Sequence, residues 1–260
     1  MSRTAEKTEL SDQDLLRYSR QIMLPQIDLS GQQKLLASRV VLFGVGGLGS
    51  TVAMYLVTSG VGRITLVDPD RVDLSNLQRQ VVFLSDDIGC EKVSAAKQRL
   101  TAMNQQVEVR TINSVLSGAR LRQVASEADL VVDATDNFSA RYAINRACVE
   151  THTPLIVGAA IRFEGQVTVF TMKSQSACYG CLYPDQGDVE ESCAQTGILG
   201  SVAGLVGCLQ ATEAIKLLLN HGKILSNKIL LIDALNMEWH SVRINRDPKC
   251  AVCANSKGQA

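Results

Sequence analysis

Residues 39–49 read Arg39-Val40-Val41-Leu42-Phe43-Gly44-Val45-Gly46-Gly47-Leu48-Gly49. A short apolar run that ends at a glycine reads as a buried strand. The apolar stretch Leu48 to Thr58, closed by Ser59-Gly60, reads as a helix. Gly44, Gly46 and Gly49 fit G-x-G-x-x-G with Gly47 inside it, and the strand–turn–helix context gives the pattern meaning. Such glycines let the backbone turn tightly and approach a phosphate, and the helix N-terminus offers free N–H groups to the anion. Asp68 ends the next strand, Arg63 to Val67, where an acidic side chain meets ribose hydroxyls. The alternative is a tight turn without a ligand. The fingerprint does not separate NAD from ATP. It is not a Walker A loop, since no Gly-Lys-Ser/Thr follows.

Outward from this turn, strands and helices alternate. One helix is expected over 10–36, capped by Ser11, and another over Glu91 to Met103. Val107 to Ile112, Leu130 to Ala134 and Leu155 to Gly158 read as strands, with a helix over Ala140 to Glu150. Such alternation implies right-handed βαβ units and a parallel sheet. After Ala159 the pattern changes. Strands are expected at Gln166–Thr171, Lys228–Ile232 and Glu238–Ile244, around a polar loop (Lys173–Gln195) and a long helix (Thr196–Leu219). The fold class is therefore α/β: a Rossmann-like, mostly parallel sheet flanked by helices, continuing into antiparallel strands. Residues 1–160 read as N-terminal helices plus a nucleotide-binding half, and 161–260 as a substrate half on the same sheet. Gly197, Gly200, Gly204 and Gly207 fit close helix packing, in the core or at a dimer interface.

Composition narrows the function class. The 260 residues carry 26 Lys+Arg against 26 Asp+Glu, so no broad basic surface points to nucleic acid. A hydrophobic share of 46% is ample for a packed core. No secretory signal is visible, and the apolar run Ile198 to Leu209 is too short and too soon interrupted to span a bilayer. A cytoplasmic protein without membrane contact is expected. In that compartment eight cysteines point to metal binding or chemistry, not to a disulfide framework.

The loop Ser75-Asn76-Leu77-Gln78-Arg79-Gln80 and Lys92, early in the following helix, suit chemistry at a triphosphate. Charge builds on phosphate oxygens in the transition state, and fixed cations lower that barrier. Taken singly, Arg79 and Lys92 also read as solvated surface charges. Asp133-Ala134-Thr135-Asp136-Asn137 closes the fourth strand, where open α/β sheets bind ligands. Asp136 is a candidate Mg²⁺ carboxylate there, or the N-cap of the next helix.

Cys178-Tyr179-Gly180-Cys181 and Cys250-Ala251-Val252-Cys253 are two CxxC knuckles. Together they complete a tetrahedral Cys₄ set that favours structural zinc. Cys193 precedes an expected helix N-terminus, which lowers a thiol pKa, while Glu190 and Glu191 act the other way. Cys90, Cys148 and Cys208 fit packing positions.

In order, Arg17-Tyr18-Ser19-Arg20-Gln21, the Gly44–Gly49 turn, Ser75–Gln80, Lys92, Asp133–Asn137 and the paired CxxC motifs resemble the MoeB/ThiF family of ubiquitin-activating-enzyme-like adenylyltransferases. The molybdopterin synthase branch matches best. The resemblance spans about Leu10 to Cys253. It implies ATP-dependent adenylation of the C-terminal glycine carboxylate of a small ubiquitin-like sulfur carrier ending in Gly-Gly, with release of pyrophosphate. The carrier is expected to be of the MoaD type, or of the ThiS type of thiamine biosynthesis.

Within that resemblance Gly47 meets the nucleotide, Asp68 the ribose, and Asn76, Arg79 and Lys92 the phosphates. Asp136, beside Asn137, matches an Mg²⁺-linked aspartate. Arg20 matches an arginine that reaches the ATP of a neighbouring subunit, so a homodimer is expected. Cys193 matches a cysteine that is covalently engaged in some members only. No rhodanese-like segment follows Cys253, so a separate sulfur donor, such as a cysteine desulfurase or a rhodanese, is expected. Two competing readings remain. An NAD-dependent oxidoreductase leaves Arg79, Lys92 and Asp136 without a joint role. A non-catalytic scaffold subunit should lack them.

Overall fold

A computed structural model describes residues 10–184 and 197–254. Cys193 lies outside the described residues. Five parallel strands form one side of a single eight-stranded sheet: β1 (Arg39–Phe43), β2 (Arg63–Val67), β3 (Glu108–Ile112), β4 (Leu130–Asp133) and β5 (Leu155–Ile161). Three antiparallel strands continue it: β6 (Glu164–Phe170), β7 (Lys228–Asp233) and β8 (Glu238–Arg243). The spatial order is β3-β2-β1-β4-β5-β6-β7-β8. The order reverses between β1 and β4, and a crevice opens at such a switch point.

The N-terminal segment is α1 (Asp12–Arg17), α2 (Ser19–Ile22) and α3 (Asp28–Ala37), not one helix. Pro25 cannot continue a helix, and Asp28 takes a left-handed φ of 52°. Its carboxylate accepts hydrogen bonds from the Ser30 and Gly31 amides and restarts the chain as α3. Buried polar contacts hold this segment down. Asn104 Nδ2 donates to Tyr18 Oη (2.8 Å), and Gln21 Nε2 to the Ser59 carbonyl (3.0 Å).

The remaining helices are α4 (Gly47–Thr58), α5 (Lys92–Met103), α6 (Gly118–Ser126), α7 (Phe138–Thr151), α8 (Tyr179–Leu182) and α9 (Gly200–Leu219). The sequence reading missed α6. Its first residue is a glycine at φ 51° and only Leu121, Val124 and Ala125 are buried, so its apolar stripe is short. The strands β1 and β4 are apolar on both faces because helices cover both. Leu42, Leu66 and Val132 pack with α4, α5 and α9, whereas Val41, Val131 and Val157 pack with α6 and α7.

The 20-residue α9 is long and apolar enough to cross a membrane, but it lies against α4, β5 and β6. Its glycines explain the approach. A Cβ on Gly207 would sit 2.6 Å from the Leu48 carbonyl oxygen, and one on Gly200 2.3 Å from that of Gln78. Gly207 and Gly200 are thus core contacts with α4 and the 70–80 loop, whereas Gly197 is exposed and a Cβ there would meet nothing within 4 Å.

Candidate functional site

A cavity of about 850 Å³ opens at the carboxyl ends of β1, β2, β4 and β5. Its floor is the glycine turn. Gly44 has φ 83°, and a Cβ there would meet the Ala134 carbonyl oxygen at 2.7 Å. A Cβ on Gly46 would have open space apart from Gln80 Nε2 at 3.8 Å, so a ligand can approach the backbone here. Gly49 lies behind the turn, where a Cβ would be 1.9 Å from the Gly44 carbonyl oxygen. It serves helix–strand packing and does not line the cavity.

Asp68 fixes the turn. Its Oδ2 accepts from the Val45 amide (2.7 Å) and its Oδ1 from the Asp70 amide (2.9 Å). Burial raises its carboxyl above the ordinary value, although those amides and the Lys92 charge pull it down. The loop from 70 to 91 is closed at its base by Val72–Cys90 and Gly89–Val72 backbone hydrogen bonds. That closure places Asp70 beside Lys92, and Nζ donates to Asp70 Oδ2 at 2.9 Å. The Lys92 side chain is only 7% exposed. It is the first residue of α5, where the helix dipole disfavours a cation. Asp70 and the cavity give it a reason to be there.

Arg79 lines the cavity, held by a hydrogen bond from Nη1 to the Ser75 carbonyl (3.0 Å). Asn76, Asp136 and Asn137 line it too. Asn137 is the N-cap of α7, accepting from the Ala140 amide at 2.8 Å. Asp136 is therefore not the cap; it is exposed at the cavity. Besides Gly49, three expected nucleotide contacts do not line the cavity. Ser75 is bound to the Asp73 carboxylate, Leu77 packs on the apolar core, and Gln78 is exposed. Arg20 is exposed on α2 and does not line the cavity of its own chain.

Sequence reading missed Arg141 and the loop Ser114–Ser117, and held Gln80 and Thr135 only within longer motifs without a role of their own; all of them are at the cavity. Arg141 Nη2 donates to the Thr135 carbonyl at 2.6 Å and faces the fully buried Asp133. Burial raises the Asp133 carboxyl, and the Arg141 guanidinium partly offsets that. The signal for Arg141 was its spacing, one helical turn from the strand-end loop and on the face of Asn145 and Val149.

At the far end of α7 the sulfurs of Cys178, Cys181, Cys250 and Cys253 lie within 4.8 Å of one another. Cys178–Cys181, Cys178–Cys250 and Cys181–Cys253 are 3.9, 3.7 and 3.4 Å apart. Zinc–thiolate bonds of about 2.3 Å at tetrahedral angles require about 3.8 Å. The four thiols therefore fit one tetrahedral metal with every position filled by protein. Asn145 supports them, with Nδ2 3.6 Å from Cys178 Sγ. Cys148 is buried, and burial pushes its thiol well up, as suits a packing residue.

Residues 18–252 match the ThiF family. The chain belongs to that family. It is 43% identical over 245 residues to a molybdopterin-synthase adenylyltransferase of Escherichia coli, covering 94% of this chain and 98% of that one. Identity to the E. coli sulfur carrier protein ThiS adenylyltransferase is also 43%, covering 95% and 98%. A SAMP-activating enzyme E1 of Haloferax volcanii is 43% identical, covering 91% and 88%. Among solved structures, E. coli MccB with ATP superposes with a TM-score of 0.80 at 29% identity, covering 91% of this chain and 74% of that one.

Proposed function

We propose that this ThiF-family protein adenylates the C-terminal glycine carboxylate of a small ubiquitin-like sulfur carrier, using ATP and releasing pyrophosphate. The observation that carries this reading is the pairing of a glycine turn with Arg79 and the buried Lys92 in one cavity. A hydride-transfer enzyme has little need for both cations here. A carboxylate attacking an α-phosphate does, because two anions repel and negative charge grows on the phosphate oxygens. The turn amides and the α4 N-terminus, together with Gly44, Gly46 and Gly47, would cradle phosphates. Asp68 would meet the ribose, and Asn76, Asn137 and Thr135 border the same space. Asp136, exposed at the cavity, would hold Mg²⁺, which would supply charge neutralisation at the phosphates.

The carboxylate of the carrier forms a bond to the α-phosphorus as the bond to pyrophosphate breaks, leaving an acyl-adenylate. The hydrogen bond from Lys92 Nζ to Asp70 Oδ2 would orient the ammonium at the cavity wall. Zinc at Cys178, Cys181, Cys250 and Cys253 would be structural, tying the C-terminal knuckle to α7. We further propose a homodimer in which Arg20 reaches the neighbouring cavity, a cytoplasmic location and a separate sulfur donor. Residues 1–160 would bind nucleotide and 161–260 the carrier.

A MoaD-type carrier is the first choice. A ThiS-type carrier is the second reading, because identity to the two kinds of relative is equal. Carrier-dependent exchange of labelled pyrophosphate into ATP tests the activity, with each carrier supplied in turn. Exchange with a Gly-Gly-tailed carrier, lost when its last glycine is removed, is expected. No exchange with any such carrier, alongside tight NAD binding, would overturn the reading.

A further inference from the structure

Gln80 holds a buried amide against the open side of the glycine turn. The residue is 3% exposed and lines the cavity. Its Oε1 has no hydrogen-bond partner among the described residues, and an unsatisfied buried acceptor costs stability. The backbone fixes where this side chain sits. The Gln80 amide N–H donates to the Asn76 carbonyl (3.0 Å), and the Gln80 carbonyl accepts from the Phe83 amide (3.1 Å). Val82 and Phe83 then anchor the chain in the apolar core. Two consecutive side chains thereby cover two consecutive glycines. The Arg79 stem lies over Gly47, where a Cβ would meet Arg79 Cγ at 3.3 Å. Gln80 Nε2 lies over Gly46, 3.8 Å from where a Cβ would be.

Gly46 is also the N-cap of α4, and no side chain caps that helix. The first amides of a helix carry partial positive charge and need an acceptor. Gln80 Oε1 does not supply one, since it accepts nothing. It is the donor end, Nε2, that faces the turn. Helix amides and a side-chain N–H₂ therefore meet at one spot, and what they share a need for is an anion. The unpaired Oε1 is what aiming Nε2 at the turn leaves behind.

We infer that Gln80 is a further nucleotide-contacting residue, its Nε2 donating to a phosphate oxygen seated on the glycine turn at Gly46. This rests on the reading of the cavity as an ATP site. Arg79 and Lys92 supply charge there; an amide donor supplies direction, fixing one oxygen without adding a third cation.

The test separates binding from stability. Gln80→Met keeps the length of the side chain and removes both polar ends. Binding of α,β-methylene ATP with Mg²⁺ to the zinc-loaded full-length chain is measured by calorimetry, and the urea midpoint of the nucleotide-free chain by circular dichroism. The variant should bind the analogue at least about 10-fold more weakly, the scale of one lost hydrogen bond to a charged oxygen. Its urea midpoint should stay level or rise, because an unsatisfied acceptor has gone. Gln80→Glu keeps the shape and sets a carboxylate against the phosphate, so it should bind more weakly still, by roughly 100-fold.

Unchanged affinity in Gln80→Met, or affinity lost together with a lower midpoint or an unfolded chain, would show that the amide only supports the loop. Binding by Gln80→Glu as tight as by Gln80→Met would also overturn the inference. In each of these cases the reading of the cavity stands. If the analogue does not bind the wild-type chain at all, that reading falls and this inference with it.

Discussion

Two glycines one turn apart in α9 should respond to the same substitution with opposite signs. In a helix interior, alanine is favoured over glycine by about 1 kcal/mol. That gain is available at Gly204, where a Cβ would meet nothing closer than Thr51 Oγ1 at 3.8 Å, an ordinary contact. At Gly207 the same methyl would sit 2.6 Å from the Leu48 carbonyl oxygen and 2.8 Å from Thr51 Cβ. Neither atom is the end of a flexible side chain, so α9 must shift away from α4 by several tenths of an ångström. Overpacking of this kind costs about 1–3 kcal/mol, which outweighs the propensity gain. Gly204→Ala should therefore stabilise by up to ~1 kcal/mol and Gly207→Ala should destabilise, by up to ~2 kcal/mol net. Urea unfolding of the zinc-loaded chain, followed by far-UV circular dichroism, measures both. The midpoints should move in opposite directions at an unchanged m-value. Equal signs would refute the assignment of this stripe to the α4 contact. A stability loss for Gly204→Ala that shrinks on dilution, as the wild type also dissociates, would instead place Gly204 at a subunit interface.

Arg79→Ala and Asp136→Ala should each lower carrier-dependent pyrophosphate exchange by about 10²- to 10³-fold, the usual cost of losing a charge-stabilising group, while the circular dichroism spectrum is retained; near-normal exchange in either would remove its assigned role. Alanine at any of Cys178, Cys181, Cys250 or Cys253 should release zinc, measured by atomic absorption, and lower the melting temperature; full metal retention would contradict the Cys₄ site. Asp133 gives a pH test with an unusual sign. Its carboxyl is raised by burial, so the folded chain holds this proton to higher pH than the unfolded chain does. This group therefore removes stability as pH rises from its ordinary value of 3.8 through its folded value. Asp133→Asn lacks that loss and keeps an acceptor for Thr135, so its stability relative to wild type should climb over that window; a relative stability that falls there would refute the burial argument.

The parallel half was legible because its strands are covered on both faces. Val40–Phe43 and Leu130–Val132 are continuous apolar runs that end at glycine or aspartate, and both boundaries fell within a residue of the structure. The cavity residues readable in sequence were those with a local pattern: the glycine turn, Asn76, Arg79, Lys92 and Asp136. Those that escaped had no such pattern. Arg141 is a single polar residue whose meaning comes from Thr135 and Asp133 in the preceding strand-end loop, and Ser114–Ser117 carries no motif. The N-terminal helix was overextended because its apolar spacing continues across Pro25, and Asp28 supplies a restart that only its left-handed φ reveals. Leu77 and Gln78 were assigned to the nucleotide with their neighbours. A 3₁₀ turn at Leu74–Asn76 instead rotates Leu77 into the core, and Gln78 stays exposed.

Several local rules are broken around the cavity. Lys92 opposes the dipole of α5 and is buried while doing so. Asp133 is buried with no hydrogen-bond partner at Oδ2, and Gln80 Oε1 and Gln210 Oε1 also have none. Gly44 is held at a φ that other residues avoid. Each of these costs stability, and none improves packing. Exposed features such as the Arg39–Asp129 pair obey every local rule and tell nothing about function. A folding chain under no other constraint would replace Lys92 with an acid and Asp133 with valine, as the pattern of β4 invites. That both are instead retained beside one cavity, each with an opposite charge from a different element, is what a preorganised electrostatic site requires. The charges must already be in place and desolvated before the phosphate arrives, and the fold bears that cost in advance through Asp70 and Arg141.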